Sequence, residues 1–365
     1  MRNHAVLVAA VLGWFVVSFT TARAEEIPEK YEKVIRRGLD YLARSQHSDG
    51  HWEANGGQYP SAMTGLAGIA LLAEGSTVRE GKYAKNIRRA VDWFKERSQR
   101  SGLLGDPRNP SERSRYMYGH GFGLLFLSQV YGEEEDARER ETLEKMLTKA
   151  VEFCGHAQTS RGGWGYVSAR DGSDFDEGSV TITQVQALRA ARNAGIVVPK
   201  QIIDKARDYL KKCTTQDGGI IYSLANGGFG GQGRPALTAA AVACAFSAGE
   251  YDGEYTKRWL KYCHRVIGID RSGRDHFGHW EYTHYYFAQS VYSLGDDRWQ
   301  KLFPNSNAKD GLTWSKYKEV VFPYIVSRQS GDGSWNMSGI GPVYTTSCML
   351  TILQLDRATL PIYQR

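Results

Sequence analysis

Three carboxyl groups stand almost side by side in Asp174-Phe175-Asp176-Glu177, about ten residues after a Gly162-Gly163-Trp164 turn. Carboxylates this close raise one another's proton affinity, and apolar walls raise it further, so such a cluster can hold a proton ready to donate. The same residues precede a helix start with Ser179, Thr181 and Thr183, where negative groups cap backbone amides and suit the helix dipole. Capping is therefore the competing role. A second group, Asp275, His276, His279, Trp280, Glu281, Tyr282, His284, Tyr285 and Tyr286, falls within twelve residues. With Tyr116, Tyr118 and His120 it is expected to line one mouth of the fold, and Tyr118, His120, His284 and Tyr285 to touch a ligand. The histidines of the second group lack a matching helical spacing for a metal. No metal site and no cofactor is expected.

The elements that must position these groups form a repeat. Six stretches contain no Asp, Glu, Lys or Arg: 60–73, 119–132, 178–188, 235–249, 282–295 and 341–355. Their starts lie 59, 59, 57, 47 and 59 residues apart. Helices without a charged face are buried all round. Between them, 31–45, 83–99, 140–157, 200–213, 254–267 and 314–328 alternate apolar and charged residues at helical spacing, as half-exposed helices do. Six buried and six amphipathic helices predict an all-α fold, an (α/α)6 toroid of six outer and six inner helices. An open solenoid would show the same alternation but would leave one concave face in water, which six charge-free stretches do not suit.

The turns joining outer to inner helices carry their own signature. Gln46-His47-Ser48-Asp49-Gly50-His51-Trp52 recurs as Gln329-Ser330-Gly331-Asp332-Gly333-Ser334-Trp335, and in part at 158–164, ending on Trp164, and at 216–219. Asp-Gly makes a tight turn, the Gln amide can bond loop backbone, and Trp covers apolar surface between helices. These residues are expected to be structural staples.

Residues 1–24 have the form of a secretory signal peptide: Arg2, an apolar run over 5–19, and a small-x-small site at Ala22-Arg23-Ala24. The run is shorter than the roughly 18 residues that span a bilayer, and no later segment is long and apolar enough. Export to the periplasm or outside the cell is expected, leaving 25–365 as a single toroid domain. Cleavage removes 24 of 365 residues, Arg2 and Arg23 among them, and takes the formal charge from +6 to +4. Basic residues interleave with acidic ones on helix faces, so nucleic acid is not an expected partner. The densest basic loop holds Arg108, Arg113 and Arg115. Five cysteines without a CxxC pair imply buried thiols, with one disulfide left open.

The Q-x-x-D-G-x-W pattern and alternating helices resemble the prenyltransferase and squalene-cyclase repeat family over most of 31–355. The resemblance implies the toroid, with a small-molecule or polymeric ligand in a central cavity near the inner helix N-termini. In class II terpene cyclases of this family, a Gly-Gly-Trp turn precedes Asp-x-Asp-Asp, whose middle Asp protonates an alkene or epoxide. By that likeness Asp176 would be the general acid, tuned by Asp174 and Glu177, although the final Asp is Glu here. The protein prenyltransferase branch implies a glycine-rich loop at Gly227-Gly228-Phe229, a diphosphate-binding Arg234 and a zinc-ligating His284. Its Asp-x-Cys partner is absent, with Leu237, Thr238 and Ala239 in that region, so that branch is set aside.

Three functions remain open. One is binding or cyclisation of an isoprenoid in the central cavity, with Asp176 as acid. Another is a non-catalytic binding toroid with a filled or narrow centre. The last is an exported carbohydrate lyase or hydrolase with His284, Tyr285 and arginines on an open polar cleft.

Overall fold

The computed structural model describes residues 27–172, 174–225, 231–269 and 278–364. The apolar leader 1–24, Gly227-Gly228-Phe229, Asp275 and His276 lie outside the described residues. The six charge-free stretches form α2 (Pro60–Leu72), α4 (Tyr116–Glu133), α6 (Gly178–Asn193), α8 (Pro235–Ser247), α10 (Trp280–Leu294) and α13 (Pro342–Leu353). The amphipathic ones form α1 (Glu29–Ser45), α3 (Ala84–Arg97), α5 (Ala137–Ala157), α7 (Lys200–Lys212), α9 (Glu254–Val266) and α12 (Trp314–Ser327). A short helix absent from the repeat pattern, α11 (Arg298–Leu302), sits before α12.

Each inner helix packs on the next, and α13 returns to α2, so the inner ring closes. Outer helices lie against it, α1 bridging α13 and α2 across the seam. Every residue of α2 is buried, whereas α1 buries only Ile35, Gly38, Leu39 and Leu42 along one stripe. Pro60, Pro235 and Pro342 open three inner helices at positions whose amide would have no intrahelical partner. Glycines bring the inner helices close: a Cβ on Gly65 would meet the Phe122 backbone at 2.5 Å, and one on Gly68 the Phe126 ring at 2.5 Å.

The staple turns share one geometry. Trp52, Trp164 and Trp335 are fully buried, and their indole N–H groups donate to Leu42, Cys154 and Ile325 carbonyls at the end of the preceding outer helix, at 2.8, 2.7 and 2.7 Å. Their backbone amides donate to Thr64, Thr181 and Thr346 of the following inner helix. Gln46, Gln158 and Gln329 each bond a turn carbonyl and a carbonyl of the next outer helix, Asn86, Ile202 and Val34. Gly50 and Gly333 take φ of 106° and 94°, and a Cβ at either would lie 2.3 or 2.4 Å from a carbonyl of the neighbouring outer helix. Asp49 bonds Trp93 and Arg97, and Asp332 caps its own turn through Ser334. Orphan carbonyls at helix ends are thereby satisfied.

At the C-terminal end of the inner helices, residues 355–363 cross the ring. Arg357 forks onto Glu32 at 2.8 and 2.9 Å, and Tyr363 bonds Tyr285 at 3.0 Å. Leu355, Leu360, Ile362 and Tyr363 are buried there. All five cysteines are buried free thiols. Among the described residues, no helix is long and apolar enough to cross a membrane.

Candidate functional site: a tyrosine-lined mouth

The opposite mouth, at the N-termini of the inner helices, gathers tyrosines from all six repeats. Tyr118, Tyr282 and Tyr344 are each the third residue of their helix, α4, α10 and α13. Tyr166 and Tyr222 come from the loops before α6 and α8, and Tyr59 from the residue before α2, in a left-handed conformation with φ 56°. Tyr118 and Tyr166 rings lie 5.9 Å apart, Tyr166 and Tyr222 bond through their hydroxyls, and Tyr282 donates to the Ser179 carbonyl at 3.4 Å. Tyr344 and Tyr118 are close enough to Tyr282, and Tyr59 to Tyr166, to act on them electrostatically. The exposed Arg115 lies over the Tyr166 ring at 4.7 Å.

Glu177 stands at the base of this group. It is buried, caps α6 by accepting from the Val180 amide at 2.8 Å, and accepts the Ser179 hydroxyl at 2.5 Å. With Ser179 donating to Glu177, Tyr118 donates in turn to Ser179 at 2.5 Å. The result is a relay, Tyr118 O–H to Ser179 O–H to the Glu177 carboxyl. Burial pushes the Glu177 carboxyl above its ordinary range, although Ser179 and Val180 pull the other way. Burial also raises Tyr118, with the Glu177 charge adding to it. A carboxyl that resists ionisation, facing aromatic rings, can keep a proton for donation.

The carboxylate one residue earlier has the reverse character. Asp176 is fully buried, yet its oxygens take Arg161, Tyr209 at 2.8 Å, Ser223 at 3.0 Å and the Leu224 amide at 2.7 Å. Burial opposes ionisation, but Arg161, Leu224, Tyr209 and Ser223 together hold this carboxyl below its usual range. It knits the third staple turn to α7 and the loop before α8. Asp174 is exposed, and its carboxylate bonds Ser160, at 2.9 Å from the backbone amide, and pairs with Arg161. The expected trio therefore divides at the peptide bond between residues 176 and 177, because successive side chains of an extended segment face opposite ways, whereas Asp174 and Asp176 share a side and both meet Arg161.

The other expected ligand contacts divide too. Tyr118 is at the mouth, but His120, two residues on along a helix, faces outward. Its Nδ1 accepts from the Leu104 amide at 3.3 Å, which leaves Nε2–H to donate to the Ala150 carbonyl at 3.2 Å. Burial lowers this imidazole to about 4. His284 stacks on Trp280 at 4.1 Å, bonds Tyr317 at 2.9 Å, and is lowered by burial to about 3. Tyr285 points to the axis and the tail. His284 and Tyr285 thus share no surface, which corrects the polar-cleft expectation for that pair. Tyr116 supports the loop after α5 through Asp171 at 2.6 Å. Arg234 is exposed at the start of α8. The sequence reading missed Tyr59, Tyr166, Tyr222 and Tyr344; the recurrence of Tyr at the third helical residue was the available signal for Tyr344, and the other three, which precede their helices, had none.

Side chains also cross the axis. Gln186 of α6 bonds Gln289 of α10 at 2.7 Å, and Tyr282 reaches Ser179 between the same two helices. These bonds bridge the lumen at two levels. A cavity of about 160 Å³ beside the tail, lined by Arg189, Phe246, Tyr251 and Ile362, is smaller than the roughly 300 Å³ where ligand pockets begin.

No protein-family model matches the chain. Human lanosterol synthase is 30% identical over 150 residues, covering 38% of this chain and 20% of that enzyme. The chain thus aligns with about a fifth of that relative's length. An alpha-1,6-mannanase from Salegentibacter superposes with a TM-score of 0.62 at 9% identity over 90% of this chain and 99% of its own. The type II terpene cyclase MstE from Scytonema superposes with a TM-score of 0.57 at 12% identity over 91% of this chain and 99% of its own. Variants of the two have been seen with alpha-1,6-mannotriose and with geranylgeranyl dihydroxybenzoate, respectively. At such identities the superpositions establish the fold alone: the chain is an α/α toroid, similar over part of its length to lanosterol synthase.

Proposed function

We propose that this is an exported ligand-binding toroid. Its site is the tyrosine-lined mouth, its ligand an unsaturated isoprenoid, and Glu177 the acid at its base. One observation carries this reading: tyrosines of all six repeats gather around the buried Glu177 carboxyl, which is joined to a hydroxyl relay. Tyrosine faces bury apolar ligand surface and favour positive charge, which suits a polyene and any cation made from it. In such a step the Glu177 O–H proton would pass to an alkene carbon. The π pair would form the new C–H bond, leaving a carbocation facing the rings, and a solvent proton would return to Glu177 by a concerted shift through the Tyr118 and Ser179 hydroxyls, each of which ends with its O–H restored. Asp176 is a structural anchor in this reading. Export rests on the signal-peptide pattern of 1–24.

A second reading has one specific observation in its favour. Five of the six tyrosines, all but the buried Tyr344, are half-buried and bring hydroxyls to the mouth, as an oligosaccharide-binding surface would, and the mannanase shares the fold. The melting temperature against polyprenes and against neutral and acidic oligosaccharides separates the two. A ligand at a hundredfold excess over Kd stabilises by about 2.7 kcal/mol. The isoprenoid reading expects a shift with polyprenes that Glu177→Gln and Tyr118→Phe reduce. A shift with sugars alone overturns it, as does a polyprene shift indifferent to both substitutions.

A further inference from the structure

The first staple turn carries three residues that its other copies lack. Where it has His47, His51 and Glu53, the third copy has Thr159, Gly163 and Gly165, and the sixth has Ser330, Ser334 and Asn336. Those copies make the same Trp and Gln bonds, so folding the turn requires neither imidazole nor the carboxylate. In the first turn the three side chains converge. The Nε2 atoms of His47 and His51 lie 3.6 and 3.5 Å from the two Glu53 carboxylate oxygens, and one ligand atom from each residue fits within 4.8 Å of the others. Zinc bonds of about 2.0–2.2 Å in a tetrahedron put donor atoms about 3.3–3.6 Å apart.

We propose that His47, His51 and Glu53 form a binding site for a divalent transition-metal ion, with water completing the shell. Asp49 completes the arrangement from behind. Its carboxylate accepts from His51 Nδ1 at 2.5 Å, fixing the tautomer that leaves Nε2 free to ligate, while its other oxygen is held by Trp93 at 3.2 Å and Arg97 at 3.1 Å. Carboxylate–histidine–metal triads use this arrangement. The backbone is fixed as well, since the His47 amide bonds the His51 carbonyl at 2.9 Å, and Trp93 stacks on the His51 ring at 5.5 Å. His47 now stacks on His51 at 4.3 Å, and turning this exposed ring is the one adjustment needed to aim its lone pair at a shared ion. Two imidazoles and a carboxylate suit zinc, and equally iron(II) or cobalt(II), better than calcium or magnesium.

The test is a cobalt(II) titration of the full chain followed by visible absorption, with zinc competition and melting curves alongside. One equivalent is expected to bind, to be displaced by zinc, and to raise the melting temperature. The double variant His47→Gln/His51→Gln should weaken binding at least about a hundredfold while keeping the far-ultraviolet spectrum and the metal-free melting temperature, as the Thr- and Ser-bearing copies of the turn imply. Asp49→Asn should weaken it about tenfold to a hundredfold. Failure of the parent chain to take up one equivalent overturns the proposal. So does uptake that persists in a folded double variant.

Discussion

Asp176 and Glu177 are neighbours in the chain and opposites in the molecule. The first belongs to the rim of staple turns, where a charged group meets a full set of protein partners and spends its bonding capacity on them. The second belongs to the axial mouth, where burial works against charge and the nearest polar groups are hydroxyls that can pass a proton on. A carboxylate saturated by Arg161 and three other donors has nothing left for a ligand, while one that resists ionisation among aromatic rings retains that capacity. The kind of residue was the same at both positions. The side of the extended segment it faced decided what it could do.

Acid should have the largest effect, on the layer between rim and mouth. His120 and His284 are held neutral in the fold at about 4 and about 3, below the ordinary histidine value near 6.5. The unfolded chain therefore binds more protons in this window, and stability is full above pH ~6.5 and falls as pH drops toward 4. The loss should be on the order of 2 kcal/mol per histidine by pH ~5. Urea melts at pH 7 and pH 5 measure it, and combining His120→Gln with His284→Gln should flatten the dependence.

Asp176→Asn tests the rim. It leaves Arg161 without its buried partner, and about 3 kcal/mol of stability should be lost in urea melts at pH 7. Ligand shifts in the folded protein should survive. If Asp176→Asn instead keeps its stability and abolishes ligand shifts, the contrast drawn between the two carboxyls is broken.

Gln329→Ala removes the bonds to Val34 and Gly333 at the seam and should cost roughly 1–2 kcal/mol, with Gln46→Ala similar at an ordinary joint. The smallest effect is expected for Glu177→Gln. The amide keeps an acceptor for Val180, and removing a carboxyl whose folded value is raised relieves a penalty that exists only at neutral pH. Stability should stay within about 1 kcal/mol at pH 7, and any gain there should vanish near pH 4.

The ring was legible in the sequence because its signal is an absence spread over whole helices: no charge could be tolerated where both sides of α2 or α8 meet other helices. Helix ends were less legible. The helix α6 runs on through Arg189 and Arg192 to Asn193, because its last turn clears the ring and can carry charge. The mouth was only partly legible. Tyr118, Tyr282 and Tyr344 share a helical register, but Tyr166 and Tyr222 arrive from loops, and only ring closure brings both sets to one place. His120 and His284 looked like site residues because their types are reactive, yet each is spent on a backbone carbonyl or a tyrosine hydroxyl in the layer between the rings.

The seam has a kinetic consequence. Gln329 and Arg37 join residues nearly three hundred positions apart, at Val34 and Ser330, through the contacts that link adjacent repeats elsewhere. Neighbouring repeats can stack through short loops, but this joint closes a loop of 295 residues, and the entropy of that closure is offset only once the intervening repeats are in place. Loop entropy thus predicts an open, spiral-like stack as the precursor of the ring. The seam is the joint whose loss would return the molecule to that shape, with its apolar inner helices exposed to a second copy.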